Sequence, residues 1–238
     1  MVKIIIFLLV VVGIVYIMQS HLHIDFRSFF KRGFKKIDNK FGLYCYCGVQ
    51  GEGKTYSAVA FCNKLVKDYH YRVITNVTSY KAFTNTIYEY DILKLIDFIT
   101  KNHNKNGQKY VIFFDEIFTI LMKGQAVNQD ILAFLAQLRK REVIFVTTAQ
   151  NWGEIPLTFR RFCRFQVLCH MISIPLINTA FTINKICDGY NARWSDEIQD
   201  FQAPIIQTNF AKGNKDIINC YDTFETINVV KLPTQRKY

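Results

Sequence analysis

Residues 48–55 read GVQGEGKT, and this octet has the spacing of a phosphate-binding loop. In such a loop, glycines allow backbone N–H groups to turn inward around the phosphates of a nucleotide. The side chain of Lys54 would reach the β- and γ-phosphates, and the hydroxyl of Thr55 would ligate Mg²⁺. The alternative is a glycine turn before a helix. The predicted nucleotide contacts are Gly48, Gly51, Gly53, Lys54 and Thr55.

The sequence on either side of the octet fits a strand, a loop and a helix. Residues 43–47 are an apolar and aromatic run, LYCYC, which predicts a buried strand. Residues 55–69 carry apolar side chains at helical spacing and contain neither proline nor glycine. This order of elements is the context that a phosphate-binding loop requires.

Composition indicates one sizeable globular domain with an appendage. The chain has 238 residues, of which 50% are hydrophobic and 21% charged, so it can bury an ordinary core and is not a disordered chain. Its seven cysteines are an odd number without a CxxC pair. Buried thiols in a reducing compartment therefore fit better than a disulfide framework or a zinc site.

The amino terminus predicts a membrane anchor. Residues 4–18 contain no charged side chain, and as a helix they would reach about 22 Å against a hydrocarbon core of about 30 Å. Lys3 on one side and residues 19–23 on the other can extend this short span into the membrane interface. A cleaved signal peptide and a buried helix are the alternatives. We expect an anchor over residues 1–19, a basic juxtamembrane linker over 20–40 and a P-loop ATPase domain over 41–238.

Charge predicts the orientation of the anchor. Residues 1–40 contain seven basic and two acidic side chains, and six of the basic ones follow the apolar segment. The positive-inside bias therefore places the following domain in the cytoplasm. We expect a single-pass membrane protein whose following domain is cytoplasmic. Since topology and anionic lipid account for much of the basicity, the net charge of +11 is only weak support for nucleic-acid binding.

A second chemical motif lies at residues 110–116, which read YVIFFDE. An apolar strand that ends in two carboxylates is the arrangement called Walker B, and it delivers those side chains to the sheet edge where ligands bind. We expect Asp115 to hold Mg²⁺ and Glu116 to act as the general base toward water. The alternative is a strand followed by a helix that Asp115 caps.

The rest of the chain fits an α/β fold with a mainly parallel sheet flanked by helices. Further strands are predicted over 71–75, 143–148, 165–170, 179–186 and 221–230, and further helices over 92–99 and 131–138, the latter ending in Arg139, Lys140 and Arg141. Gln150 follows the strand 143–148, so it is our candidate for a γ-phosphate sensor. A polar loop residue without this role is the alternative.

Two basic clusters have two interpretations. They are Arg139, Lys140 and Arg141, and Arg160, Arg161 and Arg164. Either could supply an arginine finger to the nucleotide of a neighbouring subunit or contact a phosphate backbone. A solvated helix terminus is the other interpretation.

Three segments together resemble the zonula occludens toxin-like ATPases. These are assembly proteins of filamentous phages and belong to a larger group of DNA-pumping P-loop motors. The segments are GVQGEGKT, the strand ending in FFDE, and QLRKREVIFVTTAQNWGEIPLTFRR, so the resemblance covers roughly residues 41–165. In the family the membrane span follows the ATPase domain and leads to an external domain. Here the apolar segment comes first, so the resemblance does not extend to an outer-membrane partner or to toxin activity.

The resemblance implies a membrane-bound ATPase that assembles into a ring and drives extrusion of a single-stranded DNA phage. Its implied partners are ATP with Mg²⁺, other copies of the chain, and phage DNA or its coat and DNA-binding proteins. Lys54 and Thr55 would bind the nucleotide and Mg²⁺, Asp115 and Glu116 would support hydrolysis, and Gln150 would sense the γ-phosphate. Two alternatives stay open: a genome-packaging ATPase, and a nucleotide-binding switch or kinase with little hydrolysis.

Overall fold

The structure is a computed structural model with an α/β order of elements. It describes residues 2–19, 22–24, 40–81, 86–103, 105–117, 120–121, 124, 126–174, 179–196 and 200–222. The strands are β1 (Leu22–Ile24), β2 (Gly42–Cys47), β3 (Arg72–Thr75), β4 (Ile87–Tyr88), β5 (Tyr110–Phe114), β6 (Val143–Ala149), β7 (Cys163–Ile174), β8 (Thr179–Asp188), β9 (Arg193–Ser195), β10 (Asp200–Gln202) and β11 (Ile205–Lys212). The helices are α1 (Val2–Gln19), α2 (Lys54–Tyr69), α3 (Ile92–Asn102), α4 (Gln129–Ala136), α5 (Leu157–Arg160) and α6 (Lys215–Ile218).

Nine of these strands form one sheet in the order β1-β11-β8-β7-β2-β6-β5-β3-β4. Neighbours from β7 to β4 pair in parallel, whereas β8 is antiparallel to both β7 and β11. The mainly parallel sheet predicted from the sequence is thus confirmed. We call the edge at which the parallel strands end the carboxyl edge, and the edge at which they begin the amino edge.

Helices cover both faces of the sheet because successive strand residues point to opposite sides. Tyr44 and Tyr46 of β2 belong to the core on one face, which α2 covers, and Cys45 and Cys47 belong to the core on the other face, which α3 and α4 cover. The central strands β2, β5 and β6 are buried at every position, as expected for strands covered on both sides. This burial holds the carboxyl edge in place.

Several element boundaries differ from the sequence prediction. The helix α4 ends at Ala136, so Arg139, Lys140 and Arg141 lie in the turns that follow it and not in its last turn. The strands β7 and β8 are longer than predicted, and they pair up to Ile174 and Thr179. Most of the strand predicted over 221–230 lies outside the described residues. Tyr221 and Asp222, its described part, are not in a strand.

All seven cysteines are buried and free, as the sequence predicts for structural thiols. The Sγ atoms of Cys45 and Cys47 lie 3.6 Å apart on one face of β2. These thiols therefore serve as small apolar side chains that let α3 and α4 pack closely on the sheet.

At the amino terminus, α1 exposes its described apolar side chains. Those from Ile5 to Val12 are between 40% and 69% exposed, which contradicts the alternative of a helix buried in the core. Within the part of the chain that the structure describes, no helix is long and apolar enough to cross a membrane. The transmembrane anchor over residues 1–19 stays a prediction, as does the linker over 20–40.

Candidate nucleotide-binding site

The octet 48–55 lies at the carboxyl edge between β2 and α2. Gly51 and Gly53 have φ values of 87° and 72°, in the left-handed region that favours glycine. At Gly48 a Cβ atom would lie 2.9 Å from the carbonyl oxygen of Cys169 in β7, so a side chain there would displace the strand. The backbone conformation thus favours glycine at positions 51 and 53, and close packing against β7 requires it at position 48.

Lys54 is the first residue of α2, and its side chain turns back over the loop. Its Nζ donates a hydrogen bond to the carbonyl oxygen of Val49 at 3.0 Å. A carbonyl oxygen is a weak substitute for a phosphate oxygen, and an ammonium group can exchange one acceptor for another by rotating its flexible stem. The lysine is therefore held over the loop where a bound phosphate would compete for it.

Thr55 and Asp115 lie next to each other although sixty residues separate them in the chain. The Oγ1 atom of Thr55 lies 3.4 Å from Oδ1 and 3.3 Å from Oδ2 of Asp115. Hydroxyl and carboxylate oxygens are the ligands that Mg²⁺ prefers. The carboxylate is buried and the hydroxyl is half-buried, so this pair would hold a Mg²⁺ ion from the protein side.

Burial raises the pKa of Asp115 from its ordinary value of 3.8 to about 6, and the nearby charge of Glu116 adds to this. Hydrogen bonds from the hydroxyls of Thr148 and Thr55 act in the opposite direction. A buried carboxylate that resists ionisation is stabilised in its charged form when a cation binds to it. The electrostatics of the site thus favour a metal ion beside Asp115.

Glu116 has a left-handed backbone, with a φ value of 53°. Its N–H donates a 2.8 Å hydrogen bond to the hydroxyl of Thr148, and that hydroxyl donates to Oδ1 of Asp115. Such conformations are uncommon for residues other than glycine and cluster at functional sites. The arrangement separates the two carboxylates: Asp115 is buried, whereas Glu116 is half-buried.

Asn76 is a site residue that the sequence analysis missed. It directly follows β3, is 1% exposed, and binds the backbone of Asp115 twice. Its Oδ1 accepts the N–H of Asp115 at 2.8 Å, and its Nδ2 donates to the carbonyl oxygen at 3.1 Å. The position of a polar residue just beyond a buried strand could have identified Asn76 from the sequence. The strand was predicted over 71–75, and no role was assigned to the residue that follows it.

Gln150, the candidate sensor, directly follows β6 at the carboxyl edge. Because β6 lies between β2 and β5, the end of β6 lies between the loop and the carboxylates. Thr148, two residues earlier, binds both Asp115 and Glu116, so the structure brings this strand end into the site. The role of Gln150, which is exposed, stays a prediction.

The strand β7 passes over the loop and binds it. Glu52 accepts the backbone N–H of Met171 at 2.9 Å, and Nδ1 of His170 lies 2.5 Å from the same carboxylate oxygen. The hydrogen bond from Met171, together with the charge of His170, holds the pKa of Glu52 below its ordinary value. Glu52 thereby ties the loop to the part of β7 that extends beyond β2.

The two basic clusters do not meet at the site. Arg141 bonds to Gln137 and Thr100, and Arg164 donates to the carbonyl oxygen of Phe41 at 2.6 Å. The guanidinium of Arg160 lies over the ring of Trp152, 5.8 Å from its centre. Within one chain, these side chains have local structural contacts.

Comparison with known proteins gives a family and two similar folds. No curated protein sequence matches the chain significantly. Among solved structures, the N-terminal domain of zonular occludens toxin from Neisseria meningitidis is 15% identical, with a TM-score of 0.48, over 77% of this chain and 100% of that one. The genome packaging NTPase B204 of Sulfolobus turreted icosahedral virus 2, in complex with ATP-gammaS, is 14% identical, with a TM-score of 0.48, over 69% and 97%.

A sequence profile of the "ATPase family associated with various cellular activities (AAA)" matches residues 44–171. This range covers more than half of the chain and includes the loop, both carboxylates and the end of β6. The chain therefore belongs to the AAA family of P-loop ATPases.

Proposed function

We propose that the protein is a Mg²⁺-dependent ATPase, anchored in the host cell membrane, that powers assembly and extrusion of a filamentous single-stranded DNA phage. The observation that carries the enzymatic part is the contact of Thr55 with Asp115 directly beneath the phosphate-binding loop. Membership of the AAA family supports ATP as the nucleotide. The phage role rests on the resemblance of the three sequence segments to the zonula occludens toxin-like ATPases.

Each site residue has a distinct task in the proposed reaction. Backbone N–H groups of the loop bind the phosphates, and Lys54 moves from the carbonyl of Val49 to the β- and γ-phosphates. Glu116 orients the attacking water and accepts its proton, while Gln150 contacts the γ-phosphate from the end of β6. Thr148 fixes the backbone of Glu116 relative to Asp115.

Thr55 and Asp115 would hold the Mg²⁺ ion. Their oxygen donors and the raised pKa of the buried carboxylate fit a hard cation. When bound, Mg²⁺ neutralises charge that develops on the phosphate oxygens. Asn76 keeps the backbone of Asp115 in place, so we expect its loss to weaken the response to Mg²⁺ more than the affinity for nucleotide alone.

The test of the reaction compares substitutions at and away from the site. Lys54→Ala should lower ATP turnover about a hundredfold or more, because it removes the cation at the transferring phosphate. Lys67→Ala, on the exposed side of the same helix, is the matched control and should keep full turnover. Glu116→Gln should bind ATP normally and hydrolyse it slowly. Equal turnover in Glu116→Gln and the wild type would contradict the general base and favour the nucleotide switch.

The extrusion role is tested in infected host cells. We expect a phage carrying Lys54→Ala to release no virions while its single-stranded DNA accumulates inside the cell. Filled virions in normal numbers would rule out a role for ATP hydrolysis in assembly. Empty preformed capsids inside the cell would instead indicate genome packaging.

The proposed anchor is α1, whose exposed apolar side chains need a nonpolar environment. We expect the chain to remain in the membrane fraction at alkaline pH and the ATPase domain to be digested only by protease on the cytoplasmic side. Deletion of residues 2–19 should release the protein. Loss of the segment from the mature chain, detected by mass spectrometry, would indicate a cleaved signal peptide.

A further inference from the structure

The amino edge of the sheet is basic along its whole central part. Each of the strands β2, β3, β5, β6 and β7 has a lysine or arginine within two residues of its beginning. These cations are Lys40, Arg72, Lys109, Arg141, Arg161 and Arg164. Beside these five strands the same rule finds one acidic residue, Glu142; the outer parallel strand β4 has no such cation, and Glu89 lies two residues from its beginning. Because parallel strands begin at a common edge, these charges share one side of the domain.

Aromatic rings hold several of these cations without neutralising them. The Nζ atom of Lys109 lies over the ring of Phe41, 5.6 Å from its centre, and that of Lys40 lies over Phe165 at 5.9 Å. A cation on an aromatic face keeps its full charge. The amino edge therefore carries positively charged side chains that pack on aromatic rings.

An exposed aromatic hairpin projects from the same edge. Residues 189–204 connect the end of β8 to the beginning of β11, and the N–H of Asp188 closes the base by bonding to the carbonyl of Pro204 at 2.9 Å. The strands β9 and β10 pair within this segment. Tyr190 and Trp194 are 62% and 55% exposed, and the neighbouring Ile205 and Ile206 are each 42% exposed.

Residues 188–204 contain four acidic side chains, Asp188, Asp196, Glu197 and Asp200, and one basic side chain, Arg193. Two of the carboxylates make internal hydrogen bonds. Asp188 accepts the N–H of Tyr190 and the side-chain amide of Asn191, and Asp196 accepts the indole N–H of Trp194 at 2.9 Å. The hairpin thus contributes exposed aromatic side chains, whereas the positive charge on this side of the fold comes from the cations of the amino edge.

The chain reaches α1 from this side of the sheet. The strand β1 runs parallel to β11, and β11 begins at the amino edge. The beginning of β1, to which residues 20 and 21 join α1, consequently faces the amino edge. The apolar helix, the exposed aromatic hairpin and the row of cations thus share one side of the fold, whereas the nucleotide site lies on the other.

We propose that the amino edge is a docking surface for a bilayer that contains anionic lipids, so that the nucleotide site faces away from the membrane. This proposal rests on the membrane anchor of the proposed function. Tryptophan and tyrosine prefer the membrane interface, and lysine and arginine near the surface attract anionic headgroups. The exposed isoleucines, which have no use at a phosphate backbone, favour lipid over nucleic acid.

The two tryptophans of the chain allow a direct test. Trp194 lies in the hairpin, whereas Trp152 is half-buried and follows the carboxyl end of β6. The full chain is reconstituted into vesicles with brominated acyl chains, with or without phosphatidylglycerol, and tryptophan fluorescence is recorded. Trp152→Phe leaves Trp194 as the single reporter, and Trp194→Phe leaves Trp152.

We expect the bromines to quench Trp194 when phosphatidylglycerol is present and to leave Trp152 largely unquenched. High salt should release the quenching of Trp194. Reversal of charge with Lys109→Glu and Arg193→Glu should lower the ratio of docked to undocked protein about fivefold for each charge removed. Both residues lie outside the nucleotide site.

Other outcomes would overturn the proposal. Quenching of Trp152 alone would place the carboxyl edge on the membrane. A chain that stays with the vesicles without quenching of Trp194 would contradict docking and keep the anchor, whereas a chain that leaves the vesicles would contradict the anchor itself. A single-stranded oligonucleotide could instead compete for this surface. If it releases the quenching of Trp194 in the wild type but does not bind the charge-reversed variant, the surface binds nucleic acid.

Discussion

Among single residues, Asp115 destabilises the nucleotide-free protein through its burial. Its carboxyl group has a pKa near 3.8 when unperturbed and about 6 in the fold. Above pH 6 the folded state must hold an ionised buried carboxylate, which lowers the free energy of unfolding by about 3 kcal/mol. This loss shrinks as the pH falls through 6 and is gone below 3.8, where the group is protonated in both states.

The first prediction is that Asp115→Asn stabilises the protein at neutral pH. The amide oxygen can still accept the hydrogen bond from Thr148, and the buried charge is removed, so the free energy of unfolding at pH 7.5 should rise by about 1 to 3 kcal/mol. The gain should be smaller at pH 4.5, and Mg²⁺-dependent turnover should be lost. Urea unfolding at both pH values measures the gain.

Asp68→Asn, on the exposed side of α2, is the control, and its stability should not change. A less stable Asp115→Asn protein at pH 7.5 would contradict the argument.

At the level of elements, a buried polar pair joins α2 to β8. The hydroxyl of Ser57 donates to Oδ1 of Asn184 at 3.2 Å and accepts from Nδ2 at 3.1 Å. Both residues are less than 10% exposed, so removal of one partner leaves the other buried without this bond. The pair fixes the first turns of the phosphate-binding helix against the antiparallel part of the sheet.

The second prediction concerns this pair. We expect Ser57→Ala and Asn184→Ala each to lower the free energy of unfolding by about 1 to 3 kcal/mol. The double variant should lose less than the sum, with a coupling energy between about 0.5 and 3 kcal/mol. Additive effects in urea unfolding would show that the two side chains stabilise the fold independently.

A glycine sets the path of the hairpin segment. A Cβ atom at Gly189 would lie 2.2 Å from the carbonyl oxygen of Cys163, a backbone atom that cannot yield without moving β7. As a third prediction, Gly189→Ala should lower the free energy of unfolding by about 1 to 3 kcal/mol, as overpacking does. Gly13→Ala in α1 is the matched control, since a Cβ there meets nothing within 4 Å. Unchanged thermal unfolding of Gly189→Ala would contradict this contact.

The elements that the sequence predicted are those with an unambiguous local pattern. The strands β2, β5 and β6 are continuous apolar runs, and α2 has a clear helical face between a glycine loop and His70. The short strands β1, β4, β9 and β10 were missed because two or three residues carry too little pattern. The eight-residue strand β11 was also missed, because polar residues such as Thr208 and Asn209 occupy its buried positions. Asn76 and Thr148 acquire their roles from strand order, which brings β3 and β6 beside β5 and which no local pattern specifies.

For the whole molecule, the two edges of the sheet separate chemistry from surface charge. The nucleotide residues occupy the carboxyl edge, and the cations that begin the parallel strands occupy the amino edge. Charges on opposite edges are screened from each other over about 10 Å at ordinary ionic strength. The electrostatic properties of the two edges should therefore vary independently.

The fourth prediction tests this independence. The double variant with Lys109→Glu and Arg193→Glu should keep the ATP turnover of the wild type in detergent solution, within about twofold, because neither residue is near the nucleotide site. Steady-state hydrolysis at low and high salt provides the measurement. A loss comparable to that of Lys54→Ala would show that the edges are coupled.

The pairing of β1 with β11 has a consequence for biosynthesis. Leu22 pairs with Thr208, so every residue between them must be synthesised before β1 can join the sheet. Domains fold during synthesis from the amino terminus, and contacts between distant residues form late. The apolar helix and β1 therefore leave the ribosome well before their neighbour in the sheet has been translated. Attachment of β1 to β11 would then be a late step of folding.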